Sequence, residues 1–173
     1  MLDAVFSYLI SKMIDMFPGL VTRRFISPTK LAEMVEVDLR RASPINISFG
    51  SSIPSLSLWF RISNKSLVNL VLDRLLIDLW IGQPFLHGAI LSQYIVSKQS
   101  SIENAYFNTK LTNPQQDWIR KHVSGQLLSV PVTITVEAYF ESKVGTIRVE
   151  QRIEHRTVPG RLQQFYITKI TER

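Results

Sequence analysis

Between Ile53 and Ile90 the chain alternates apolar and polar residues, breaks, and resumes, and a polypeptide with that rhythm has few ways to fold. Leu56, Leu58, Phe60 and Ile62 are interleaved with Ser57, Trp59, Arg61 and Ser63. A period of two puts one side of an extended strand in a core and the other outside it. Asn64-Lys65-Ser66 interrupts the run. From Leu70 to Ile81 a Leu-rich and β-branched segment follows, with Asp73, Arg74 and Asp78 as its only charges. Gly82-Gln83-Pro84 then turns the chain into Phe85 to Val96, read as one strand. Three strands joined by two turns expose an apolar face, so a second sheet must cover them.

The last third reads as a hairpin. Val132, Ile134, Val136, Ala138 and Phe140 alternate with Thr133, Thr135, Glu137, Tyr139 and Glu141, and after a turn over Ser142 to Gly145 the pattern continues through Ile147, Val149 and Ile153. The intervening Arg148, Glu150, Arg152 and Glu154 make a salt-laced outer face. Val35, Val37 and Leu39 define an earlier strand, and residues 102–111 another, whereas residues 41–52 are rich in turn formers. Ser27-Pro28 reads as an N-cap and first-turn pair for a short helix to about Val35. Asn113-Pro114-Gln115-Gln116 opens a helix near 113–123, with Asn113 as N-cap and Gln116 as its capping-box partner. Val158-Pro159-Gly160 breaks the chain before a short closing element marked by Phe165, Ile167 and Ile170. The predicted fold is mainly β: an antiparallel, immunoglobulin-like β-sandwich over 27–173 with Phe60, Ile77, Val136 and Ile147 in its common core.

Residues 1–26 form a separate unit, an N-terminal amphipathic helix and linker. Asp3, Ser7, Ser11 and Asp15 recur every four residues, and Leu2, Phe6, Leu9, Ile10, Met13 and Phe17 belong to the wide apolar remainder of the circumference. Pro18-Gly19 ends the helix. The stretch is short and charged for a transmembrane span, and it lacks the basic start and small-residue cleavage site of a secretory signal. Three readings stand: an interfacial membrane helix, a helix docked on its own domain, or a contact with a protein partner or homo-oligomer through residues 1–17. Arg23 and Arg24, just beyond, would add affinity for a membrane surface or anionic lipid. These residues together are the candidate binding site.

Chemistry is sparse elsewhere. The chain has no Cys, which removes disulfides, thiolate metal sites and a Cys nucleophile. Its net charge of +6 is spread along the chain, without the localised basic stripe that nucleic acid recognition needs, so a nucleic acid partner is not expected. His87, His122 and His155 fall on three different elements, and no metalloprotease helix, nucleophile elbow or phosphate-cradling glycine loop occurs. The expectation is a protein that is not an enzyme, with no catalytic residues, no metal and no cofactor, cytoplasmic or at a membrane periphery. Asn46-Ile47-Ser48 and Asn64-Lys65-Ser66 match glycosylation acceptors.

The order of features resembles the LEA type 2 (late embryogenesis abundant, WHy domain) family. The likeness covers about residues 34–158. It rests on a first strand at VEVDLRR, a strand running into an Asn-containing turn (Leu56 to Asn64), a Leu/Val-rich strand ending in Gly (Leu70 to Gly82), a short strand through Gly88, a helix, and two long paired strands near 131–155. The family's Asn-Pro is Asn64-Lys65 here. The resemblance implies a non-enzymatic β-sandwich connected with desiccation or stress protection, with relatives that sit beside membranes or handle lipid.

Overall fold

The computed structural model describes residues 27–41, 45–49, 53–124, 127–128, 130–155 and 165–168, together with Tyr8, Leu9, Lys12 and Met16. Two sheets face each other. The first is built on β3 (Ser55–Asn64), which pairs along its whole length with β7 (Ser100–Lys110). Its other side is shared by two short strands: β1 (Val35–Leu39) opposite Phe60 to Asn64, and β2 (Ile45–Ser48) opposite Ser55 to Leu58. β12 (Phe165–Thr168) adds to β2 in parallel. The second sheet repeats the plan. β4 (Leu70–Ile81) pairs on one side with β10 (Val132–Glu141), and β10 pairs with β11 (Ile147–His155). On its other side β4 is shared by β5 (Pro84–Ile90) and β6 (Tyr94–Val96).

The expected core forms between these sheets. Phe60, Ile77 and Val136 have no exposed surface and Ile147 has 3%. Close packing of such side chains, at about 25 cal/mol per Å² of apolar surface removed from water, is the main favourable term holding the sheets together. Three expectations are corrected. Residues 41–52 are not all turn, because Ile45 and Ile47 are buried from the four-residue β2. Phe85 to Val96 is not one strand: residues 91–93 leave the ladder. The pairing of β4 with β5 shifts between Leu79 and Trp80, and Leu86, Gly88 and Ile90 turn toward the core while His87 and Ala89 face out. Gly88 lies so close beneath Phe107 that a Cβ would sit 2.4 Å from the ring.

The third correction concerns a helix start. α1 (Pro28–Glu33) begins as expected, with the Ser27 side chain accepting from the Lys30 N–H at 3.2 Å. In α2 (Asn113–His122), however, the capping box sits one residue early: Gln115 Oε1 accepts from the Thr112 N–H at 2.9 Å, which makes Thr112 the N-cap and Gln115 its partner. Trp118 of α2 closes one end of the sandwich, donating its indole N–H to the Ile81 carbonyl at 2.9 Å beside Gly82, whose φ of +67 turns the chain out of β4. A two-stranded ribbon, β8 (Val123–Ser124) and β9 (Leu127–Leu128), follows α2.

The outer edge of β1 is blocked by side chains. The Val37 N–H donates to Gln151 Oε1 of the opposite sheet at 2.9 Å, and the Leu39 N–H donates to Asp38 Oδ1 at 2.7 Å. On the other flank the Tyr106 N–H of β7 reaches the Tyr94 hydroxyl at 3.3 Å.

Candidate functional site

Of the eight residues expected to bind a membrane or partner, Leu9 is the one the structure describes. Leu2, Phe6, Ile10, Met13, Phe17, Arg23 and Arg24 lie outside the described residues. Tyr8, Leu9, Lys12 and Met16 are helical, in keeping with the apolar periodicity. Their side chains are uncovered: Tyr8, Leu9 and Met16 are 60%, 54% and 67% exposed. The Lys12 ammonium lies 5.4 Å from the Tyr8 ring, one helical turn away, an arrangement that shields part of an aromatic face while leaving the charge in water.

The turn after β3 is the most densely bonded polar feature. Asn64 is 1% exposed, and its Nδ2 donates to the carbonyls of Val68 at 2.8 Å, Val96 at 3.2 Å and Ser97 at 3.2 Å. Its Oδ1 accepts from the Ser66 N–H at 3.0 Å and the Ser66 hydroxyl at 2.6 Å. A buried amide with every hydrogen-bonding position engaged ties the β3–β4 turn to the β6–β7 turn. Lys65 stands where the resembled family has proline, and its N–H donates to the Met34 carbonyl at 2.9 Å, a bond proline cannot make. Asn64 is therefore closed to glycosylation in the folded protein, although its triplet matches an acceptor.

No catalytic constellation is assembled by the histidines whose side chains are described. His87 is on the outer face of β5, its Nδ1 2.6 Å from Asp78 Oδ1 with both side chains more than half exposed. His122 stacks on Trp118 with ring centroids 4.0 Å apart and donates from Nδ1 to the Trp118 carbonyl at 2.8 Å. Among the described residues no group of three or more His, Cys, Asp or Glu could hold a metal, and no helix is long and apolar enough to cross a membrane.

Two outer faces remain. On the first sheet Trp59 meets Tyr106 with centroids 5.0 Å apart, the Arg40 guanidinium lies 4.8 Å from the Trp59 ring, and Asn108 donates to Ser57 Oγ at 2.8 Å and to the Tyr106 hydroxyl at 2.9 Å. On the second sheet, ion pairs and apolar side chains share the outer face. Toward β11, Glu137 accepts from the Tyr139 hydroxyl and from Arg148, which hold its carboxyl below the usual glutamate range in that order of importance. The same contact with Glu137 raises Arg148. Arg74 covers the Tyr139 ring at 4.2 Å. Toward β5 and β6 the outward positions mix apolar Val71, Leu76, Trp80, Ala89 and Ile95 with the Asp78–His87 pair; Trp80 and Ile95 are 46% and 70% exposed, and Leu91, in the segment between β5 and β6, is 74% exposed. This mixed face escapes a reading by sequence, because it joins β4, β5 and β6 only through their pairing. The signal that could have found it is the apolar character of Leu91 and Ile95 on either side of a polar Ser92-Gln93.

No family model matches the chain, and no curated protein matches it. Among solved structures it is similar to a protein from Archaeoglobus fulgidus, at 13% identity over 72% of this chain and 97% of that one, with a TM-score of 0.40. It is also similar to a solution structure described as that of a late embryogenesis abundant (LEA) protein, at 8% identity over 90% of this chain and 86% of that one, TM-score 0.42. A third likeness is to an alkylpurine DNA glycosylase from Pseudomonas fluorescens bound to DNA containing an abasic-site analogue, at 9% identity over 87% of this chain and 46% of that one, TM-score 0.34. The likenesses are distant ones, at the level of fold.

Proposed function

We propose that this chain is a non-catalytic β-sandwich module, of the kind the LEA type 2 resemblance implies, that associates with a membrane surface or lipid through its N-terminal helix. The observation that carries the reading is the exposure of Tyr8, Leu9 and Met16 at 60%, 54% and 67%. Apolar side chains on an amphipathic helix that its own sandwich leaves in water call for another apolar phase, and the interface of a bilayer is one. Arg23 and Arg24 each contribute about 1 kcal/mol on anionic lipid and lose it at high salt, whereas a protein groove gives little salt dependence.

Co-sedimentation with vesicles tests this directly. The full chain is expected to pellet with vesicles containing anionic lipid at low salt, less at high salt, and a chain lacking residues 1–26 to stay in the supernatant. A full chain that stays in the supernatant, runs as a defined oligomer, and becomes monomeric on removal of residues 1–26 overturns the membrane reading in favour of an interaction subunit.

A further inference from the structure

The outer face of the first sheet carries hydrogen-bonding groups that the sandwich itself leaves in part unused. We propose that this face binds a neutral oligosaccharide chain laid along β3 and β7, with Trp59 and Tyr106 as the stacking platform. The site is separate from the N-terminal helix and does not depend on membrane association.

The platform comes first. Leu56, Leu58, Phe60 and Ile62 of β3 are in the core, so Ser57, Trp59, Arg61 and Ser63 stand on the opposite face. Across the ladder Ser57 meets Asn108, Trp59 meets Tyr106 and Ser63 meets Ser101 of β7. The two rings have centroids 5.0 Å apart and planes tilted by 41°. Arg40 already lies 4.8 Å from the Trp59 ring, so Tyr106, 41% exposed, supplies the more open surface. An aromatic face is partially negative. The C–H groups that a sugar ring turns out from one of its faces are partially positive, so the two stack without either losing a hydrogen bond.

Polar groups flank the rings on both sides. Asn108 Nδ2 donates to Ser57 Oγ at 2.8 Å and to the Tyr106 hydroxyl at 2.9 Å, which holds the Tyr106 ring in place before any ligand arrives. Beyond the rings Arg61 keeps a buried Nε–H with no hydrogen-bond partner, the one side-chain group so left among the described residues. Farther along, the Ser63 and Ser101 hydroxyls have no partner among the described residues, and with Gln99 they line a hollow of about 420 Å³. From Ser57 to Ser63 the row runs about 20 Å at 3.3 Å per residue, room for a short chain of sugar rings.

Charge decides the class of ligand. Arg61 Nη2 lies 3.6 Å from Asp38 Oδ2, and Lys65 Nζ lies 3.0 Å from Glu36 Oε2, so the cations along this row are matched by carboxylates of β1. Single-stranded nucleic acid also stacks on aromatic side chains, but it needs a basic groove to track its phosphates. A face of hydroxyls, amides and paired charges is complementary to a ligand that is polar and uncharged, as a neutral glycan is. The tilt between the rings makes the platform angled, which suits a single chain in solution over the flat surface of a crystalline polysaccharide.

Isothermal titration of the full chain with cellohexaose, laminarihexaose, maltohexaose and mannohexaose tests the proposal, with NMR amide-shift mapping to locate the contact. The expected result is millimolar or tighter binding of at least one of them, unchanged between low and high salt, with shifts concentrated in residues 57–63 and 101–108. Tyr106→Ala is expected to weaken that binding about tenfold, since aromatic anchors dominate such contacts. Asn108→Ala keeps both rings and is expected to weaken it several-fold, whereas Trp80→Ala on the second sheet leaves it unchanged. The denaturation midpoint of each variant shows that it is folded. No binding of any of these sugars at millimolar concentration, shifts elsewhere on the molecule, or parental affinity in both Tyr106→Ala and Asn108→Ala overturns the proposal. A single-stranded oligothymidylate is titrated alongside, and salt-sensitive binding of it to this face in place of the sugars assigns the face to nucleic acid and overturns the proposal as well. None of these readouts contains lipid, so they stand or fall separately from membrane association.

Discussion

Asn64 shows how one side chain can hold two turns that sequence separation keeps apart. Its amide meets carbonyls of Val68, Val96 and Ser97, so replacing it leaves several buried groups without partners at once. Asn64→Ala is expected to lower stability by about 3 kcal/mol, read as a shift of the urea midpoint, since each orphaned buried group costs about 1–3 kcal/mol. A midpoint within error of the parent would show that water replaces the amide. The sequence marks Asn64-Lys65-Ser66 as a break in alternation and an acceptor triplet; that the amide is buried depends on Val96 and Ser97, more than thirty residues away, and no local pattern carries it. Gly88 is similar. Its need for glycine comes from Phe107 on the other sheet.

At the scale of elements, strands with strict alternation were legible and short or two-sided ones were not. β3, β10 and β11 each present several apolar residues at a period of two, and their cores are where that period puts them. Ile77→Ala is expected to cost about 2–5 kcal/mol and Phe60→Ala about 3–5, measured by denaturation, because both side chains leave a cavity between facing sheets. An unchanged midpoint in both variants would contradict the sandwich. β2 has two inward residues, Ile45 and Ile47, amid turn formers, which is too little signal to outweigh its neighbours. On β10 and β11 the outer faces are coupled by Glu137. Its folded pKa is lowered by Tyr139 and Arg148, so the unfolded chain binds the proton more tightly. The stabilisation is present above the ordinary glutamate value of 4.5 and is lost as pH falls through the lowered one. Glu137→Gln is expected to flatten the fall in thermal midpoint below that value, and an acid limb identical to the parent's would remove Glu137 from the account.

For the whole molecule, the candidate site was legible only as a pattern at one end of the chain. The periodicity of residues 1–17 names a helix and its apolar side, and of the candidate residues the structure describes Leu9, which is 54% exposed. The sandwich itself has a core of hydrocarbon and one satisfied amide, and no ligand set among the described residues contributes to it. Treatment with a chelator is accordingly expected to leave the unfolding midpoint where it was, and unfolding under chelation would reveal a structural metal. The split edge of the first sheet bears on how copies behave when crowded. A long open strand is a template on which another chain can crystallise its backbone, one ladder rung at a time. Here β1 ends after five residues, its outward N–H groups at Val37 and Leu39 are already taken by Gln151 and Asp38, and β2 beside it is paired with β12. Fibril growth by strand addition is thereby denied its starting rung on that flank, and molecules forced together meet through side chains, by contacts that dilution undoes.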